Sequence, residues 1–292
     1  MAHPYLSEEL TARQVVDGVR YGIELYKNSA QVSEIRHPFR SGWRSFSVGY
    51  SQGGGTSMAV HRFIEQNGLV DELKFTGSVC GDGPYNPVAT FMEYINQAEN
   101  DEVMTMIIVM PLILKGMCDS NPYMRNHKVS DFLSDKFLET GIIDWIDNKE
   151  YSHEDIKKKW EELIEKGKGD DKDYYKDVLG SNGIGYLKNV LKPELYAYFK
   201  NYHNPSNPTY TVTHYLLDDQ GFPVDFIDFH VFDPDRPTSR GVMEDLHLAL
   251  SYNNLTRGWN PEHPLYLYHS VNDKAVPVCN RSCSLGAARS RH

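Results

Sequence analysis

The sequence predicts an α/β fold interrupted by a long helical insertion, and three observations carry that prediction. A β-rich run, Trp43 to Tyr50, passes through a glycine-framed turn straight into an apolar-striped helix. A second β-rich run, Leu73 to Cys80, follows at once, while a third, Leu265 to His269, comes only near the end. Between them, from about Pro87 to Pro261, the pattern is mostly helical and is punctuated by Gly and Pro rather than by regular strands. Strand–helix–strand units on either side of a helical stretch form a layered core that carries a cap. The chain therefore divides into a core segment 1–86, a cap or lid insertion 87–261, and a closing segment 262–292 that holds the last strand and an irregular tail.

Each element has a local reason. Thr11 followed by Gln14 fits a capping box, and Ala12, Val15, Val16, Val19 and Ile23 make one apolar stripe, so a helix is expected over Thr11 to Lys27. After the strand Trp43 to Tyr50, the stripe Ala59, Val60, Phe63 and Ile64 predicts a helix over Gly53 to Gln66. The strand Leu73 to Cys80 ends in the loop Gly81 to Pro84. In the insertion, Ile156, Trp160, Leu163 and Ile164 share one helical face, and the charge run beside them is its solvated side. The β-rich runs within Thr209 to Phe232 flank Asp218 to Gly221 and read as a hairpin. Val103 to Leu114 is the longest apolar stretch, and at about twelve residues it is too short to span a bilayer; core packing or an acyl-binding wall both account for it.

The balance of charge excludes some partners. A formal net charge of −10 argues against nucleic acid as the main partner, since phosphate binding needs concentrated Lys and Arg, and argues weakly against an anionic membrane surface. No basic start followed by an apolar run marks the N-terminus, so no secretory signal is visible. Cys80, Cys118, Cys279 and Cys283 have neither zinc-knuckle spacing nor the density of a disulfide framework, and no metal is expected.

The chemistry concentrates in Gly49-Tyr50-Ser51-Gln52-Gly53, a G-x-S-x-G pentapeptide between a strand and a helix. There a serine sits on a strained turn, its hydroxyl projecting above the sheet, and Gly49 and Gly53 are expected to be small because strand and helix nearly touch. The backbone N–H of Gln52, at the helix start, is placed to stabilise an oxyanion. Asp273, just after the strand Leu265 to His269, supplies a carboxylate at a strand end, in the order serine then acid. His292 is the one histidine after Asp273, so it is the candidate base by chain order, although the interval is tight for a helix, a strand and a loop. His61, His203, His214, His230 and His269 break that order and are expected at the surface or as satisfied core residues.

With these residues in place, GYSQGG, KFTGSVCGDGPYNPVATF and TRGWNPEHPLYLYHSVNDKAVP resemble the α/β-hydrolases of the secretory-lipase and bacterial esterase type, over roughly residues 3 to 278. The resemblance implies a partial α/β-hydrolase core with a large, mostly helical cap. It also implies hydrolysis of small-molecule acyl esters through Ser51, with Gln52 in the oxyanion hole, Asp273 orienting the base, and no metal or organic cofactor. A peptidase of the same fold, and a remnant that binds without catalysis, are the alternatives. In such enzymes further strands precede the nucleophile strand and a histidine-bearing segment follows the acid. This chain opens at the helix ahead of the nucleophile strand and closes on an aperiodic tail. The expectation is therefore reduced turnover, a strand Trp43 to Tyr50 left as an exposed edge, and self-association through that edge. Relatives of this type are often exported, which leaves the compartment open.

Overall fold

The computed structural model describes residues 5–28, 42–99, 109–148, 152–180, 187–201, 210–217, 223–231, 241–256, 258–273 and 275–277. The chain falls into two compact units, one made of Leu6–Pro87 with Asn253–His292, the other of Met1–Tyr5 with Val88–Tyr252. Five strands are described: β1 (Ser45–Tyr50), β2 (Phe75–Gly81), β3 (Tyr210–Leu217), β4 (Pro223–Val231) and β5 (Leu265–Tyr268).

In the first unit, β1, β2 and β5 form a parallel sheet in the order β1-β2-β5. Helices α1 (Glu8–Asn28), α2 (Gln52–Gln66) and the short α3 (Val70–Leu73) belong to the same unit. One sheet face is built small. Ser47 on β1 shares a hydrogen bond of 2.6 Å with Ser78 on β2 and donates to the Ser57 carbonyl at 3.1 Å, while the Ser57 hydroxyl donates to Ser47 at 2.9 Å. Three satisfied serines let α2 lie close on the sheet without stranding a polar atom. The apolar core around them gathers Ala12, Val16, Met58, Ala59, Ile64, Phe75 and Leu255.

Helix α1 begins at Glu8, three residues ahead of the sequence expectation. Thr11 is not its cap: its hydroxyl donates to the Ser7 carbonyl at 2.8 Å from within the first turn. Glu9 lies in that turn and Lys27 in the last, charges that the helix dipole favours. The expected stripe is also narrower than its sequence. Ala12 and Val16 are buried, whereas Val15 and Val19 are 38% and 44% exposed, because the core meets only one edge of the apolar face.

Glu8 is buried at the start of α1, with its N–H donating to Asn253 Oδ1 at 2.9 Å. Its carboxyl lies against the first turn of α2, where a Cβ on Gly55 would come within 3.1 Å of Oε1. Burial raises its pKa from 4.5 to about 8. The folded chain then holds a proton that the unfolded chain releases, so stability is full below pH 4.5 and falls as the pH rises through 8. The substitution Glu8→Gln is expected to remove that dependence and to add about 2–5 kcal/mol at pH 8. Urea melts of both proteins at pH 5 and pH 8 measure it. A wild-type stability that does not fall between them contradicts a buried, neutral Glu8.

The second unit is mainly helical. Its helices include α4 (Pro87–Glu99), which begins at the boundary, and α5 (Val109–Ser120). Val109, Met110, Ile113 and Leu114 are buried there, so core packing accounts for the described part of the long apolar stretch. The Phe91 and Phe199 rings pack with centroids 4.5 Å apart. The helix His153–Lys166 starts on a capping box between Ser152 and Asp155 and buries Trp160, whose indole donates to the Leu179 carbonyl at 3.2 Å. Strands β3 and β4 pair antiparallel as the expected hairpin, with the Asp218 to Gly221 connection outside the described residues. No described helix is long and apolar enough to cross a membrane.

The first unit resumes at Asn253. The segment from Asn253 is tied to the first unit by the Glu8 bond, by Arg62 donating to the Asn254 carbonyl at 3.2 Å, and by the buried Leu255.

Candidate active site

Ser51 sits between β1 and α2 with φ 55° and ψ −126°. A non-glycine residue rarely takes a positive φ, because the Cβ crowds the backbone, and such strain clusters at functional sites. The conformation is held from both sides. The Ser51 N–H donates to the Gly81 carbonyl at 2.9 Å, fixing the turn to the end of β2. Its carbonyl accepts the N–H groups of Gly54 at 2.8 Å and Gly55 at 3.3 Å, the first bonds of α2. Gln52 is therefore the first residue of the helix, where backbone N–H groups point out of the helix end.

The two motif glycines play different parts. A Cβ on Gly49 would fall 1.7 Å from the Gly53 carbonyl oxygen, so strand and helix do touch there. A Cβ on Gly53 would meet nothing within 4 Å. The steric reason expected at Gly53 thus does not hold: that residue contributes its carbonyl to the contact, not a missing side chain. The tight position downstream is Gly54, whose Cβ would lie 2.3 Å from the Gly81 carbonyl.

The ends of β2 and β5 deliver further groups. Asp82, nearly buried at φ 45°, donates its N–H to the Tyr268 carbonyl at 2.8 Å and accepts the Ser270 N–H on Oδ1 at 2.6 Å. His269 has a buried ring whose Nε2 donates to the Val276 carbonyl at 2.6 Å and lies 3.8 Å from Asp82 Oδ1. A nitrogen facing a carbonyl carries a proton, and Nδ1 has no hydrogen-bond partner among the described residues. Asp273 accepts the N–H groups of Ala275 at 2.8 Å and Val276 at 2.9 Å on Oδ1, which leaves Oδ2 without a hydrogen bond among the described residues. The site thus draws together Ser51, Asp82, His269 and Asp273 at the same end of one sheet. Among the described residues no histidine hydrogen-bonds Ser51 or Asp273, and His292 lies outside them.

Asp82 was not legible as a site residue from sequence. Its signal was the acid directly after a strand in GDGP, the position type that had drawn attention to Asp273. His61, expected in a surface or core role, is a core histidine: its Nε2 donates to Glu65 at 3.0 Å and burial lowers its pKa. Among the described residues two clusters have donor atoms close enough for an ion, Asp82-His269-Asp273 and His61-Glu65-His263. In the second, Glu65 accepts from Trp259, Glu262, His263 and His61. Cys80 is buried beneath this end of the sheet with its thiol pushed up to about 11 by burial, so it is a weak nucleophile.

No family model matches the sequence, and no curated protein matches it. Solved structures do. The rice cell wall degrading esterase LipA from Xanthomonas oryzae superposes with a TM-score of 0.63 at 20% identity, over 99% of this chain and 57% of that one. A candidate hydrolase from Legionella pneumophila superposes with a TM-score of 0.60 at 13% identity, over 100% of this chain and 57% of the other. The chain has an α/β-hydrolase-type fold. It is a partial α/β-hydrolase core, three parallel strands with a helical insertion between β2 and β5, and it spans about 57% of the length of these neighbours. Ser51 lies at the turn from β1 of this sheet to α2.

Proposed function

We propose that this chain is a serine hydrolase of the esterase or lipase type, acting on acyl esters. The observation that carries the reading is the strained backbone of Ser51 at the strand-to-helix turn, φ 55° and ψ −126°, held by Gly81 and by the Gly49 contact. In this reading the Ser51 hydroxyl oxygen attacks the ester carbonyl carbon while its proton passes to an imidazole. The tetrahedral oxyanion takes a hydrogen bond from the Gln52 N–H. The imidazole then protonates the departing alkoxide, leaving an acyl-serine that water hydrolyses by the same steps. Asp273, whose Oδ2 makes no hydrogen bond among the described residues, orients the base, and His292 is the candidate for it by chain order. The helical unit acts as the cap. The esterase name of the Xanthomonas neighbour supports ester over amide cleavage, which remains the enzymatic alternative.

Incubation with a fluorophosphonate and peptide mapping tests the assignment. The adduct is expected on Ser51 and is expected to vanish in Ser51→Ala. No adduct, or an adduct on another serine with Ser51 untouched, overturns it.

One observation favours a second reading, a fold that binds acyl ligands without turning them over: no described histidine is bonded to Ser51. Hydrolysis of a short p-nitrophenyl ester separates the two. Turnover that Ser51→Ala abolishes supports the enzyme, whereas binding without turnover supports the second reading.

A further inference from the structure

The proposed chemistry needs two turns held in register, the one at Ser51 and the loop that carries Asp273, and the end of β2 touches both. Gly81, the last residue of β2, gives its carbonyl to the Ser51 N–H at 2.9 Å. The next residue, Asp82, turns to the other side. Its N–H donates to the Tyr268 carbonyl at 2.8 Å, and its Oδ1 accepts the Ser270 N–H at 2.6 Å. Ser270 opens the acid loop, and the Asp273 N–H returns to the Ser270 carbonyl at 3.3 Å. His269 ties the far end of the loop, with Nε2 donating to the Val276 carbonyl at 2.6 Å. One oxygen of Asp82, one of Asp273 and one ring nitrogen of His269 lie within 4.8 Å of one another. The local cost at Asp82 fits a set position. Its φ is 45°, a value that Asp and Asn take more readily than other non-glycine residues. Its side chain is only 12% exposed, and a carboxylate so nearly buried needs a fixed donor, which the Ser270 N–H supplies.

We propose that Asp82 is a positioning residue, which sets Asp273 through the Ser270 N–H and ties the acid loop to the nucleophile turn through Gly81. The proposal rests on the serine-hydrolase reading above. Asp82 touches no reacting atom: it acts on the loop, and Asp273 in that loop acts on the base. The effect belongs to the chemical step, because the base must be oriented when the proton moves and the ester is not held by this loop. A misplacement of about 1 Å in such a supporting group costs on the order of a hundredfold in rate.

Two substitutions in the full chain test this. D82G removes the carboxylate at a φ that glycine takes without strain, so a loss belongs to the hydrogen bond and not to the backbone. D82N keeps an acceptor for the Ser270 N–H and loses only the charge. With a short p-nitrophenyl ester, D82G is expected to lower kcat about tenfold to a hundredfold, with KM within about twofold of wild type. D82N is expected to recover most of that loss. Amide exchange at Ser270, Ala275 and Val276 should quicken in D82G, while β1 and α2 keep their protection. An unchanged kcat in D82G, equal losses in the two variants, a change in KM alone, or unaltered exchange in the loop each overturn the proposal. A wild type that neither hydrolyses the ester nor takes a fluorophosphonate overturns the hydrolase reading instead, and the exchange result then decides whether Asp82 holds the loop. Should D82G fail to fold, exchange of the wild type replaces it. A Ser270 amide as protected as those of β2 supports the proposal, and one that exchanges as freely as an exposed loop amide overturns it.

Discussion

Replacing Glu65 with alanine is expected to destabilise the chain by about 3–5 kcal/mol, although Glu65 lies outside the proposed site. Its carboxylate is only 5% exposed and gathers the segment that leads into β5. It accepts the Trp259 indole N–H at 2.8 Å, the Glu262 N–H at 3.0 Å, the His263 N–H at 2.8 Å, His263 Nδ1 at 2.7 Å, and His61 Nε2 at 3.0 Å. Removing one acceptor therefore strands several donors together, and the buried ones cannot turn to water. The pH dependence has a defined sign. Burial pushes the Glu65 pKa up, but the bonds from His263, Glu262 and Trp259 outweigh it and hold the carboxyl at about 2. Its stabilisation is thus full above 4.5, the ordinary value, and is lost as the pH falls through 2. Urea melts of wild type and Glu65→Ala should differ most at neutral pH and converge toward pH 2. A neutral-pH difference under about 1 kcal/mol would mean that the cluster is incidental.

The second large effect separates the two glycines of the motif. The substitution Gly49→Ala drives a methyl into the Gly53 carbonyl, 1.7 Å from oxygen and 2.2 Å from carbon, and backbone cannot swing aside as a side chain can. Strand and helix must part, at a cost of at least about 3 kcal/mol, above the usual range for overpacking. Fluorophosphonate labelling should fall with it, because Ser51 loses the hold that keeps its φ at 55°. Gly53→Ala, by contrast, points into open space within α2. Alanine is a better helix former than glycine, so that variant should be neutral or more stable by up to about 1 kcal/mol. Equal losses at both positions would show that the close contact at Gly49 is not what shapes the turn.

Much of the core was legible because its signals are local. The strand before Ser51, the helix after it and the two later strands each rest on alternation or a helical stripe within a few residues, and β1, α2, β2 and β5 stand where those patterns put them. The hairpin β3–β4 was legible for the same reason. Chain order points to Ser51 and Asp273 as candidates and says nothing of Asp82. Its place comes from the neighbouring strand β5, through the Tyr268 and Ser270 bonds.

By itself, the sequence determined the α/β class, the strand-to-helix turn at Ser51 and the acid after the last strand, because each depends on residues adjacent in the chain. Only the tertiary structure decided which side of α1 is covered, which motif glycine is sterically required, and how Glu65 is engaged. Those follow from contacts between residues far apart in sequence, such as Glu65 with His263 or Glu8 with Asn253, which periodicity does not encode.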